Sequence, residues 1–166
     1  MVALGIDPGT AICGFAFVES LQDRLAPLHF GVITTSPNAP LPDRLLKIHS
    51  ELVALINSFH PDVLGIEKLF FGRNSTTALP VAHARGVVLL AAAQHNLPLL
   101  EFAPNQVKLS ITGYGHASKQ QVIFMVSKLF NLESPPKPDD AADALAIALA
   151  AAYEAVSPAR RNFFGV

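Results

Sequence analysis

Four carboxylates, Asp7, Glu67, Asp140 and Asp143, have the types and the spacing to do chemistry. Asp7 closes an apolar run, residues 2–6, and Pro8-Gly9-Thr10 follows it. Proline and glycine break such a strand into a tight turn, and glycine lets a ligand approach the backbone. Glu67 closes a second apolar run, residues 63–66. Each acid is thus delivered at the tip of a buried strand. Asp140 and Asp143 are three residues apart, which puts them on one face of a helix and in its first turn. The helix macrodipole favours ionised acids there. Acids that converge repel one another, and some stay protonated. Hard divalent cations resolve that conflict, and oxygen-only ligands suit Mg²⁺ or Mn²⁺. Two such ions about 3.5–4 Å apart clamp the attacking water and the leaving oxygen of a phosphodiester.

A plainer reading stands beside each acid. Asp7 with Pro8-Gly9 also fits an ordinary strand-to-turn boundary, and Asp139 or Asp140 after Pro138 also fits a helix N-cap. Asp143 is harder to place that way. It sits in the small, apolar run Ala141-Ala-Asp-Ala-Leu-Ala-Ile-Ala, which belongs against a sheet. A carboxylate there is costly unless it is paired or holds a metal. Glu67 meets the same objection.

The elements that must position these residues follow from periodicity. Residues 2–6, 13–18 and 28–35 read as strands in succession, with Gln22-Asp23-Arg24 turning the chain between the last two. Residues 42–59 carry Leu45, Ile48, Leu52, Leu55 and Ile56 at helical spacing. Residues 63–66 form a fourth strand, 76–96 a long Ala/Val/Leu-rich helix and 98–102 a fifth strand. Pro104 suits the first turn of a short helix over 105–111, and Ser118 caps a helix running to Phe130. After the proline-rich residues 135–138, Asp139 opens a last helix to about Val156. This order predicts an α/β fold, a five-stranded mixed sheet with helices on both faces. Residues 1–156 are expected to form one domain, with 157–166 a loosely ordered tail.

Composition narrows the class. The 166 residues are 51% hydrophobic and only 15% charged, which favours self-association and excludes intrinsic disorder. No apolar stretch predicts a membrane span, and the single Cys13 cannot form an internal disulfide, as expected of a cytoplasmic protein. The net charge of −1 does not mark a nucleic-acid binder. Its distribution is uneven, however. Between Lys68 and Leu132 the cations are Lys68, Arg73, Arg85, Lys108, Lys119 and Lys128, and Glu101 is the only acid. A phosphate-binding face and a merely solvated face both fit that segment. There is no zinc-type His/Cys cluster, no G-x-x-x-x-G-K-[ST] loop and no G-x-S-x-G elbow.

Gly5-Ile-Asp-Pro-Gly-Thr10, Ile66-Glu-Lys-Leu-Phe-Phe71, Ala84-Arg-Gly-Val87 and Asp140-Ala-Ala-Asp-Ala-Leu-Ala146 occur in that order. Together they make the chain resemble the RuvC-type Holliday-junction resolvases, crossover junction endodeoxyribonucleases of the RNase H-like superfamily. The resemblance runs over residues 3–153. It implies an RNase H-like fold and a homodimer whose two sites nick opposed strands of a four-way junction. The implied chemistry leaves 5′-phosphate and 3′-hydroxyl ends, for DNA recombination and repair. It also implies two Mg²⁺ held by Asp7, Glu67, Asp140 and Asp143, with Mn²⁺ supporting activity, and association with the RuvA-RuvB branch-migration complex. Some relatives carry His where Asp140 stands, and Asp139 falls one position off the pattern, as a cap or a supporting group. By resemblance Phe70 stacks on an unpaired base, Lys108 and Lys119 contact DNA, and Arg73 and Arg85 fit phosphate contacts. His116 is a weaker candidate. The helix over 76–96, with Ala78, Ala82 and Gly86 at four-residue spacing, would form the dimer interface; packing on its own sheet fits the same pattern.

Two rival classes fit parts of the pattern. Gly5-Ile-Asp-Pro-Gly-Thr10 also looks like the phosphate loop of actin-like ATPases and sugar kinases, which need a second such domain. A non-catalytic junction-binding module would keep the fold but has no need of all four acids.

Overall fold

The computed structural model describes residues 1–21, 24–69 and 75–156, with side chains in the second helix described from Leu79 onward. Gln22 and Asp23 of the expected turn, residues 70–74 with Phe70 and Arg73, and residues 157–166 of the expected tail lie outside the described residues.

Strands β1 (Val2–Asp7), β2 (Ile12–Leu21) and β3 (Arg24–Thr34) run antiparallel in succession. Helix α1 (Leu41–Phe59) crosses over to β4 (Val63–Glu67), and α2 (Ser75–Gln94) crosses over to β5 (Leu99–Phe102). Both crossovers return a strand parallel to its neighbour, giving the order β3-β2-β1-β4-β5. Three helices follow among the described residues: α3 (Pro104–Thr112), α4 (Lys119–Leu129) and α5 (Asp139–Val156). The sheet is mixed and has helices on both faces, as expected. No helix among the described residues is long and apolar enough to cross a membrane.

Strands β2 and β3 run further than periodicity indicated. Glu19, Ser20 and Arg24 are polar, yet the ladder continues through Glu19↔Ala26 to Leu21↔Arg24. Pro27 is tolerated because β3 is an edge strand, and the register shift beside Phe17 and Val18 leaves Leu28 unpaired as a bulge.

The two faces of the sheet differ in side-chain size. Leu4, Ile6, Phe15, Phe17, Leu64 and Ile66 point to one face and pack with Ile48, Leu52 and Ile56 of α1 and Val88 of α2. Strand side chains alternate, so the intervening positions face α5, and these are mostly small: Ala3, Gly5, Gly14, Ala16 and Gly65, with Val18 and Val63 beside them. Helix α5 matches them with a run of buried alanines and approaches until backbone meets backbone. A Cβ at Gly5 would lie 2.2 Å from the Ala148 nitrogen, and one at Gly14 would lie 2.1 Å from the Asp140 carbonyl oxygen.

A methyl group at Gly14 meets a main-chain oxygen that no side-chain rotation can move. Gly14→Ala is therefore expected to destabilise the protein by about 1–3 kcal/mol or more, the range for overpacked cores. The denaturant midpoint measures this, and an unchanged midpoint would contradict so close a contact.

Candidate active site

The parallel register of β1 and β4 pairs Ile6 with Ile66, so Asp7 and Glu67, next along each strand, emerge side by side at one edge of the sheet. Asp7 in turn pairs with Gly14 of β2, directly beneath the Asp140 carbonyl of α5. The contact that Gly14 permits thus sets the first turn of α5 over the tip of β1. Asp143 then faces the same opening. A cleft of about 260 Å³ is lined by Asp7, Glu67 and Asp143, by Lys108 of α3 and Lys119 of α4, and by apolar Val107, Val122 and Ala146.

Lys119 is the first residue of α4. Ser118 caps that helix: its hydroxyl accepts from the Gln121 N–H at 3.3 Å, and the Gln121 side chain accepts from the Ser118 N–H at 2.8 Å. From there the Lys119 ammonium reaches Asp143 Oδ2 at 2.8 Å and Asp139 Oδ2 at 3.3 Å. The hydrogen bond to Asp143 is the main cause holding the Lys119 pKa above its ordinary value.

Burial pushes the Asp7 pKa up to about 7, and the charges of Asp143, Asp140 and Glu67 push in the same direction, while Lys119 opposes them. Glu67 is raised too, first by burial and then by Asp143, with Lys108 acting against the shift. The opening therefore holds an excess of acid that two lysines offset only in part. Among the described residues no three of these side chains already stand as a ready set of metal ligands. Their donors are nonetheless carboxylate oxygens throughout, which suits a hard divalent cation. The raised acid pKa values mark the place where such a charge would restore the balance.

The structure brings Asp7, Glu67, Asp143, Lys108 and Lys119 to one cleft and sets Asp140 beside it. Arg85 is placed differently from a free phosphate contact. Its side chain is only 13% exposed, its guanidinium is paired with Glu101, and its Nε–H donates to the Glu67 carbonyl oxygen at 3.4 Å. Sequence reading missed this pair and the Lys119–Asp139 contact. The one acid in the cationic segment was a signal for the first; nothing local marked the second. His116 contacts the Tyr114 ring edge-on, with centroids 5.7 Å apart. Cys13 is buried, and burial pushes its thiol pKa up to about 12, far from a reactive thiolate.

The Asp7 shift has a consequence for stability. Its folded pKa lies above the ordinary value of 3.8, so between about pH 4 and 7 the folded state holds more protons than the unfolded chain. Without divalent metal, this group makes stability fall as pH rises through that window. Asp7→Asn removes the penalty. It is expected to raise the urea midpoint at pH 8 in EDTA, by an amount equivalent to on the order of 4 kcal/mol of stability at most, with the gain vanishing toward pH 4. Equal midpoints for both proteins across that range would contradict the burial of Asp7.

Comparison with known proteins places this arrangement. Residues 3–151 match the family described as Crossover junction endodeoxyribonuclease RuvC. The RuvC of Desulforamulus reducens is 48% identical over 149 residues, covering 90% of this chain and 91% of that protein. The RuvC of Desulfitobacterium hafniense is 50% identical over 153 residues, covering 92% and 93%. Among solved structures, Thermus thermophilus RuvC in complex with a Holliday junction substrate superposes with a TM-score of 0.88 at 37% identity, covering 98% of this chain and 96% of that one. The chain therefore belongs to the RuvC family of crossover junction endodeoxyribonucleases.

Proposed function

We propose that this chain resolves four-way DNA junctions by paired, symmetric nicks in opposed strands. The observation that carries the reading is the cleft itself: acids from β1, β4 and α5 converge under two lysines. Asp7, Glu67, Asp140 and Asp143 are the groups that would hold two Mg²⁺, or Mn²⁺ in its place. When bound, these ions supply Lewis-acid charge at the scissile phosphate and lower the pKa of water. Asp7 is central, since the other three acids all act on it. Binding of cations there would release its proton and remove the repulsion that burial enforces.

The lysines serve the substrate. Lys108 offsets the charge of Glu67 from inside the cleft, and Lys119, about half exposed and paired with Asp143 and Asp139, has a flexible stem that would let it turn to a phosphate. The N-terminus of α4 adds its dipole to the same side. Phe70 and Arg73, which follow β4 in the sequence, are the proposed base-stacking and phosphate contacts. Stacking of that kind contributes about 1–3 kcal/mol per base. Two copies of the chain, with two equivalent sites, account for paired nicks, and the RuvA-RuvB complex is the proposed partner that delivers the junction. Residues 1–156 are proposed to act as one unit, a reading supported by the unbroken family match over residues 3–151.

The test is a synthetic four-way junction and a linear duplex of the same sequence, each incubated with Mg²⁺, Mn²⁺ or EDTA. Symmetric, ligatable nicks are expected in the junction alone, only with metal, and none with Asp7→Asn. Equal nicking of the duplex, or full activity of the variant, would overturn the reading. For the lysines, the double variant Lys108→Ala/Lys119→Ala is expected to bind the junction more weakly. The slope of log affinity against log salt should also fall by about two, one for each lost phosphate contact. An unchanged slope would remove them from the DNA interface.

A further inference from the structure

Arg85 lies in the middle of α2, on the face of the sheet opposite α5, yet it touches the strand end that carries Glu67. The β4–β5 pairing ends there. Ile66 is in register with Glu101 and Glu67 with Phe102, and the Lys68 N–H closes the ladder on the Phe102 carbonyl at 2.8 Å. Beyond that bond β4 leaves the sheet, so the peptide of Glu67 sits where a strand frays. Arg85 meets it at this point. Its Nε–H donates to the Glu67 carbonyl oxygen at 3.4 Å, while its terminal nitrogen pairs with Glu101 of β5.

One planar guanidinium thus ties three elements, α2, β4 and β5. Arginine is suited to this because its donors form a rigid fork that engages two acceptors at once. The side chain is only 13% exposed, so it is held against these elements rather than extended into solvent. A groove of about 470 Å³ opens beside it between α2 and the strand ends, lined by Lys68, Ala82, Gly86 and Leu89. The cation that offsets the Glu67 carboxylate is Lys108, from the other side. Arg85 therefore acts on the backbone of Glu67 and leaves its carboxylate to the cleft.

We infer that Arg85 and Glu101 form a brace that positions Glu67: the pair fixes the tip of β4 so that the Glu67 carboxylate is held in the cleft beside Asp7. Arg85 is on this view a positioning residue rather than a DNA contact. The inference rests on Glu67 being a metal-holding acid. It assigns to Glu101, outside the cleft, an effect on the site. Loss of supporting partners of this kind lowers metal affinity about 10–100-fold.

Full-length Glu101→Gln, Arg85→Lys and Glu67→Gln are compared with the parent. Mn²⁺ binding to the DNA-free protein is followed by the spin-resonance signal of free Mn²⁺. Junction binding is measured in EDTA across a salt titration, and thermal unfolding in EDTA reports folding. Glu101→Gln and Arg85→Lys are expected to remain folded, to bind Mn²⁺ about tenfold more weakly and to keep the parental junction affinity and salt slope. A DNA-contact role for Arg85 gives the opposite pattern: parental Mn²⁺ binding in both variants, with Glu101→Gln binding the junction as tightly as the parent or more so because the arginine is freed. That result overturns the brace. If Glu67→Gln abolishes tight Mn²⁺ binding while the two brace variants bind normally, the brace alone fails. If Glu67→Gln itself binds Mn²⁺ as the parent does, the metal-site reading fails with it.

Discussion

The site depends on how closely one helix can lie on one sheet. Helix α5 touches β1 and β2 through backbone atoms, because Gly5 and Gly14 offer no side chain between them, and Gly65 admits it over β4. The inward side of α5 is alanine at nearly every turn, so the helix has no bulk to hold it away. A leucine-rich helix would stand higher above the sheet and carry Asp140 and Asp143 out of reach of Asp7. The opposite face obeys a different rule. There Phe15, Phe17, Ile6 and Ile66 keep α1 and α2 at the spacing usual for large side chains. The sheet is thus a spacer with a thin side, where acids must meet, and a thick side, where the large aliphatic and aromatic strand side chains are buried.

Closeness brings a cost in charge. Burial first, and then the charges of Asp143, Asp140 and Glu67, disfavour an ionised Asp7, and its shift to about 7 records both. The protein tolerates this because Lys119 is shared between Asp143 and Asp139, and Lys108 stands against Glu67. Lys119 is well exposed and its ion pairs are worth little to folding. Their effect is local, on which acids are charged and on where the positive charge waits.

Much of this was legible in the residues. Two continuous apolar runs, each closed by an acid, located β1 and β4 and their tips, because central parallel strands are buried on both faces and tolerate no polar interruption. Asp143 was legible because a charge inside an alanine-rich helix is costly to bury unless a cation or a polar partner meets it, and Asp140 only through its three-residue spacing from Asp143, since a helix cap fitted it as well. The reading was weaker where pairing is long-range. Arg85 looked like a free cation in a basic segment, since its partner Glu101 is sixteen residues away on another strand. The far ends of β2 and β3 escaped because their side chains are exposed and their order comes from a ladder rather than from burial. The small-and-large alternation of Ala3-Leu4-Gly5-Ile6 was visible too. Its meaning appears only when α5, more than 130 residues later, is seen resting on it.

Lys119 has one more implication. A helix N-terminus carries partial positive charge and favours acids, so a lysine as first residue works against its own helix. Helix α4 begins all the same, on the strength of the reciprocal Ser118 and Gln121 bonds. Two like charges, the ammonium and the helix end, are in this way stacked at one spot and aimed at the acids of α5. Substitution chosen for helix stability alone would put Glu at this position, and it would reverse the field over the cleft. The cap at Ser118 is therefore what lets a local defect in folding persist as a fixed source of positive potential.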